Sequence, residues 1–373
     1  MRVCVLIDVW EPLWGGGPKN VWEISRRLVK NKNLNIDIFT RSLKENGVVF
    51  SRNENYSHNR LRIFRIGPVF TFFNIIGRLT WLVSVILAVL ISHRKKPYDL
   101  IHAHAYSAGI PGKILSILLS IPIVFTVHGS NNLDLNKKTV TAFFERFILT
   151  RILYTRQISV SYSFLKHSNL NHPIVISNGV DLNDFNKKRN SSIQKRLFTF
   201  LFVGRFDQIK GVNILVKAFS LFYKKHPNTK LMLVGYGYEE EKIKNTIFQL
   251  QLGNAISLKG KQTGKTLIDI YKSVDIVVVP SFSEGQSIVI LEAFAAKKPV
   301  IATSVGDNAR FVVNSKTGFL VFPENMTHLY RVMEKAYLSK RLHIMGQKAH
   351  SLVHNYQWDT VTARVKKVYE SVI

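Results

Sequence analysis

Short apolar runs alternate along the chain with longer stretches in which apolar residues recur at helical spacing. In the first half the runs lie at 3–8, 36–40, 100–104, 123–128 and 157–160, and in the second at 199–203, 230–235, 256–259, 276–280, 300–302 and 318–321. Apolar strands separated by amphipathic helices predict parallel sheets wound by helices on both faces. Residues 177–192, rich in Asn, Asp, Lys and Ser, break the pattern with a linker composition. The expected fold class is therefore α/β, with domains at 1–184 and 185–353. In the last stretch, 354–373, Trp358, Val361, Val365 and Val368 fall on one face of a helix expected to pack back on the first domain.

One stretch departs from this style. Residues 68–92 hold a single charged side chain, Arg78, and 79–91 are almost free of polar groups. A bilayer-spanning helix needs about 20 apolar residues, so the uninterrupted run is short for a span. Arg60, Arg62 and Arg65 precede it and Arg94, Lys95 and Lys96 follow. That bracket fits a helix lying in a membrane interface, with cations on anionic headgroups and Leu82 and Ile86 among the lipid. A buried crossover helix between two strands of the first sheet accounts for the same residues as core.

Composition narrows the field. At 373 residues, 46% apolar and 20% charged, the chain has room for two cores and is neither a small binding module nor a disordered protein. Cys4 is the single cysteine, which allows no internal disulfide and no thiolate metal cluster and suits a reducing compartment. Residues 1–7 read as a strand rather than a secretory leader, so the expected location is the cytoplasm. Lys plus Arg number 52 against 24 Asp plus Glu, a net charge of +28, which calls for an anionic partner. Residues 1–185 hold 23 of the basic and 11 of the acidic side chains, so the excess is spread over both halves.

Three strings carry candidate chemistry. After the first strand, Gly15-Gly16-Gly17-Pro18-Lys19 opens a helical pattern; glycines there let backbone amides reach an anion at a helix N-terminus, and Pro18 suits the first helical position. The string is not a GxGxxG. The second domain opens in parallel fashion, with Arg205 and Lys210 on the loop after its first strand, placed to grip a diphosphate from two sides. The third string, Pro280 to Ala293, puts Glu284 just after a strand and Glu292 two turns along an apolar helix. A carboxylate on an apolar helix needs a hydrogen-bonding partner, and a hydroxyl, such as one from a ribose or a sugar, would serve. His102 and His104 share one face of a strand, but no third metal ligand is placed by the sequence.

Taken in order, these strings resemble those of the retaining glycosyltransferases of family GT4, with the two-Rossmann-domain GT-B fold. Glu284 and Glu292 match its E-x7-E pair, Gly204-Arg205 with Lys210-Gly211 its GR-x4-KG loop, and Ser177-Asn178-Gly179-Val180-Asp181 its boundary element. Leu233-Val234-Gly235-Tyr236-Gly237 and Thr126-Val127-His128-Gly129 complete the set. The resemblance covers nearly the whole chain. It implies two Rossmann-like domains facing each other across a cleft. It implies further that Arg205 and Lys210 neutralise the diphosphate of a nucleotide-sugar donor, that Glu292 binds ribose, and that Glu284 holds hydroxyls of the transferred sugar. His128 would contact that sugar, Gly16 and Gly17 would offer amides, and Gly260 and Lys261 would meet the base. Gln286, Ser287 and Ile288 would complete the donor side, and Gly15, Lys19 and His104 the acceptor side. No metal or other cofactor is expected, because cations at the leaving diphosphate stabilise the transition state themselves.

The chain departs from the family at several points. Gln286 and Ser287 follow Glu284-Gly285 where apolar residues, Gly or Pro are frequent, Pro18 stands for a glutamate after the first-domain glycines, and Arg310 for another in 306–310. Donor and acceptor choice are thereby left open. The expected activity is retaining transfer of a sugar to a lipid-linked or glycan acceptor, on the inner face of the cell membrane. A nucleotide-sugar epimerase of similar fold and a basic nucleic-acid-binding protein are the alternatives. The second has no helix-turn-helix, zinc or aromatic-interleaved basic strip to support it, so no nucleic-acid partner is expected.

Overall fold

The computed structural model describes residues 1–10, 15–45, 48–71, 75–128, 147–167, 173–186 and 197–373. The chain divides into two compact units, Met1–Asn178 with Trp358–Ile373, and Gly179–Gln357. Each unit is α/β and built on a largely parallel sheet.

In the first unit the strands are β1 (Arg2–Leu6), β2 (Asn35–Glu45), β3 (Val48–Phe50), β4 (Glu54–Tyr56), β5 (Leu61–Phe70), β6 (Leu100–His104), β7 (Ile123–Val127), β8 (Arg156–Ser159) and β9 (Pro173–Val175). They run in the order β4-β5-β2-β1-β6-β7-β8-β9, with β3 on β2. Among the described residues β3 pairs antiparallel with β2 and β4 with β5, and the other pairings are parallel. Alternation along β1 explains why the sheet needs cover on both faces. Val3 and Val5 join the core under helix α1 (Gly16–Leu28) and the C-terminal helix Trp358–Glu370, while Cys4 and Leu6 join the core under α2 (Ile75–Lys95) and α3 (Ala105–Leu119).

The C-terminal helix contributes Trp358, Val361, Val365 and Val368 to that first core. Burying Trp358 alone is worth on the order of 4–6 kcal/mol as an upper estimate. The compact units meet at Asn178/Gly179 and Gln357/Trp358, a few residues from the expected 184/185 and 353/354. Val180 and Leu182 are buried with Val353 in the second unit, and the Val180 N–H donates to the Tyr356 carbonyl at 2.8 Å.

Strand β5 went unseen because Arg60, Arg62 and Arg65 read as a cationic flank. In the structure Leu61 and Ile63 point into the core between them, Arg62 pairs with Asp37 at 2.7 Å and Arg65 with Glu54 at 2.7 Å. These two arginines are therefore engaged within the unit. The apolar helix α2 also differs from expectation in its phase. Gly77, Trp81, Val85 and Val89 are buried, Leu82 and Ile86 pack partly against the core, and Ile75, Leu79, Val83, Leu87 and Ile91 face outward.

Among its described residues the second unit has six parallel strands, β10 (Phe198–Val203), β11 (Thr229–Val234), β12 (Ile256–Leu258), β13 (Ile276–Val279), β14 (Val300–Thr303) and β15 (Gly318–Val321). Their order is β12-β11-β10-β13-β14-β15, wound by α4 (Val212–Lys225), α5 (Gly264–Ser273), α6 (Ile288–Ala295) and further helices. The chain leaves β10 for β11 on one side and returns to β13 on the other. Loops at the carboxyl ends of such a pair diverge and leave a crevice, the usual ligand position in open parallel sheets.

Candidate active site

The crevice beside β10 and β13 gathers the second domain's charged candidates. Asp207 accepts from the Lys210 backbone N–H at 3.1 Å and so closes the one-turn helix Gln208–Lys210 that carries the lysine. Gly211 then turns with φ 67°, and a Cβ there would lie 2.2 Å from the Pro280 carbonyl oxygen. Only glycine lets the β10 loop pass this close to the end of β13. The Phe282 N–H donates to the Ile209 carbonyl at 2.7 Å and locks the two loops together.

This contact brings Lys210 Nζ within 2.6 Å of Glu284 Oε1, where the Ser281 hydroxyl also donates at 2.8 Å. Glu284 is held in turn by the segment after β14. Gly306 sits with φ 53°, its absent Cβ 2.1 Å from the Glu284 carbonyl oxygen, and the Asp307 N–H donates to the Gly285 carbonyl at 3.0 Å. Arg205 lies on the same loop, pairs with Asp207 at 2.8 Å and is more than half exposed. The arrangement is one cation held against a carboxylate and a second reaching into solvent from a carboxylate anchor.

Gln286 and Ser287 are buried before the first turn of α6, which starts at Ile288. Glu292, further along α6, finds its hydroxyl partner inside the protein: the Tyr271 O–H of α5 donates to Glu292 Oε2 at 2.7 Å. Ribose is not required to explain the burial of this carboxylate. Gly260 has φ 61° and its carbonyl accepts from the Gly235 N–H, while the Lys261 ammonium lies 5.7 Å from the Tyr236 ring.

The first unit's candidates gather at its own switch point, where the order reverses between β1 and β6. Gly15 caps α1 with extended backbone, Gly16 is its first residue, and the Lys19 N–H donates to the Gly15 carbonyl at 3.1 Å. Pro18 is thus the third helical residue, not the first, but still within the turn whose N–H groups lack helical partners. His128, following β7, packs its ring edge against Gly17, where a Cβ would lie 3.6 Å from its Cδ2. Gly129 of the same string lies outside the described residues.

His104 is buried beneath His128. Its Nδ1 is 2.9 Å from His128 Nε2 and the rings stack at 5.1 Å. His102 lies tilted against His104, ring centroids 3.9 Å apart, its own nitrogens taken by Tyr369 at 2.6 Å and Thr126 at 2.7 Å. Among the described residues no group of three His, Cys, Asp or Glu side chains is placed to hold a metal ion. The three imidazoles form a buried column, linked within it by the His104–His128 hydrogen bond. Tyr369 lies on the C-terminal helix, far from β6 in sequence, and no local motif marks its role; the same holds for Tyr271.

Residues 14–184 match the sequence model described as Glycosyltransferase Family 4, and residues 183–357 the one described as Glycosyl transferases group 1. An uncharacterized glycosyltransferase of Methanocaldococcus jannaschii is 30% identical over 280 residues, covering 74% of this chain and 76% of that one. The chain belongs to the group 1 glycosyl transferases. This glycosyltransferase is also 30% identical over 277 residues to CapM of Staphylococcus aureus, a capsular polysaccharide biosynthesis glycosyltransferase, with 68% and 70% of the two chains covered. Its fold matches the crystal structure of Anabaena HepE in complex with UDP and glucose at a TM-score of 0.80 and 20% identity, over 100% of both chains. The two Rossmann-like domains are those of the GT-B architecture.

Burial pushes His102 down to about 3 and His128 to about 4, and holds His104 well below the ordinary range, the latter reinforced by its two neighbours. In the unfolded chain of this glycosyltransferase each would bind a proton near pH 6.5. The folded state therefore binds fewer protons below that pH, so the stability the stack contributes is complete above pH 6.5 and is lost as pH falls toward 4. Chemical denaturation between pH 7 and pH 4.5 is expected to show this loss, with His102→Gln flattening the slope by about 1.4 kcal/mol per pH unit for the one proton removed. An unchanged slope would place the acid sensitivity elsewhere.

Proposed function

We propose that this glycosyltransferase moves a sugar from a nucleotide-sugar donor to a lipid-linked or other membrane-held glycan acceptor, with retention of anomeric configuration and without a metal ion. The observation that carries the donor half is Lys210 held beside Glu284 at the carboxyl end of β13, with Arg205 on the same loop. When a glycosyl–phosphate bond breaks, negative charge grows on the departing diphosphate and positive charge on the anomeric carbon. Lys210 shares its charge between Glu284 and the diphosphate, Arg205 reaches the diphosphate from its Asp207 anchor on the same loop, and Glu284 holds sugar hydroxyls. Glu292 takes the ribose. Cations placed in advance at the leaving group act on the transition state more than on the ground state, which is what lowers a barrier. The complex of HepE with UDP and glucose supports the donor class.

The acceptor half rests on α2 and α3. Ile75, Leu79, Val83, Leu87 and Ile91 recur every fourth residue on α2, each between 57% and 71% exposed. The adjoining α3 presents Ile110, Ile114, Ile117 and Leu118 to solvent as well. A patch of this kind on one domain marks an interaction site. By length and composition α2 could cross a bilayer, yet Trp81, Val85 and Val89 tie it to the sheet, as befits a helix lying in an interface. Arg94, Lys95 and Lys96 stand exposed at its end for anionic headgroups. The proposed location is peripheral, on the cytoplasmic face of the cell membrane. CapM, a relative in capsular polysaccharide biosynthesis, supports an acceptor of glycan type.

Two experiments test the halves separately. Incubation with UDP- and GDP-sugars and lipid-linked acceptors should yield one productive donor, with NMR of the product showing the donor's anomeric configuration. Arg205→Ala and Lys210→Ala should each lower kcat/KM on that donor by about two powers of ten. Inversion, or near-normal turnover by either variant, contradicts the donor assignment. In vesicle sedimentation, binding should rise with anionic lipid and fall in high salt; Val83→Glu with Leu87→Glu, both on the exposed face, should abolish it while leaving the fold intact. Binding that ignores lipid charge and these substitutions removes the membrane from the account.

A further inference from the structure

The pair formed by Tyr271 and Glu292 joins two elements that the sequence separates. Tyr271, near the end of α5, is completely buried, and its ring lies edge-on to Phe185 at 6.1 Å. Both Tyr271 and the flanking residues of Glu292 on α6, namely Ile290, Leu291, Ala293 and Phe294, belong to one core. The phenol is thus fixed by packing before it donates to Glu292 Oε2 at 2.7 Å. Burial, and then the adjacent carboxylate, hold the phenol well above its ordinary range, so it stays a donor at every pH the protein meets.

A carboxylate on a long side chain rotates freely unless one oxygen is pinned. Pinning Oε2 from a rigid ring sets the plane of the group and the direction in which Oε1 accepts. We infer that Tyr271 is a positioning residue that orients the Glu292 carboxylate for the cis-diol of the nucleotide ribose. This rests on the proposed assignment of Glu292 to the ribose, and it adds the residue through which that recognition is made rigid. The interaction is expected to appear in donor affinity rather than in the chemical step, because the ribose lies away from the bond that breaks.

Calorimetric titration of the full chain with UDP and GDP, each alongside its 2′,3′-dideoxy form, reads this directly. Wild type should prefer the intact form of its nucleotide by about tenfold or more, the factor carried by hydrogen bonds to a charged group. Tyr271→Phe should cut that preference to about twofold, leave affinity for the dideoxy form unchanged, and raise KM for the donor with kcat within about threefold. A second arm guards against a merely structural effect: in a Glu292→Ala background, Tyr271→Phe should cost nothing further in nucleotide affinity. Full ribose preference in Tyr271→Phe, or equal loss for both forms of the nucleotide, overturns the inference. Wild type binding both forms equally instead overturns the assignment of Glu292 to the ribose, and binding of neither nucleotide overturns the donor reading.

Discussion

A lysine ammonium held 2.6 Å from a carboxylate at the seam of two strand ends is the interaction on which the second domain's site depends. Neither side chain would be placed without the backbone beneath it. Gly211 lets the β10 loop touch the end of β13, Gly306 lets the β14 loop touch Glu284, and a side chain at either would collide with a carbonyl oxygen. Three successive parallel strand ends are thereby clamped into one rim. The result is a cation whose charge is partly offset by Glu284 and can be turned to an anion without rearranging the fold, the condition for preorganised electrostatic stabilisation.

The parallel architecture and the charged candidates were legible in the sequence because both leave local marks. Strands buried on two faces are short and continuously apolar, as at 276–279, and loops between a strand and a helix show their glycines and cations. Strand β5 was illegible because arginines alternate with its core residues, and only the partners Asp37 and Glu54, both outside it, make those arginines structural. The outward-facing residues of α2 differ from expectation for another reason. A helix apolar on every side has no periodicity to set its phase, so Leu82 and Ile86 look no different from Val83 and Leu87 until Trp81, Val85 and Val89 are seen docked on the sheet. Tyr271 and Tyr369 act across the fold on Glu292 and His102, and no spacing rule links residues so far apart.

Charge unites the two halves of the account. With 52 cationic against 24 anionic side chains, repulsion within the chain costs stability, and the excess persists in both halves. A diphosphate at Arg205 and Lys210 and anionic headgroups at Arg94, Lys95 and Lys96 are the two kinds of partner that such an excess fits. Two buried carboxylates, by contrast, are matched to specific donors: Asp37 to Arg2, Arg62 and Tyr98, and Glu292 to Tyr271.

The central claim is that cations of the protein itself, rather than a bound metal ion, neutralise the leaving diphosphate. The most direct measurement is the turnover rate on the productive donor in excess EDTA, compared with the rate in Mg²⁺ or Mn²⁺. If the protein's own cations do this work, kcat is the same in all three conditions. Activity that vanishes in EDTA and returns with a divalent cation would contradict it.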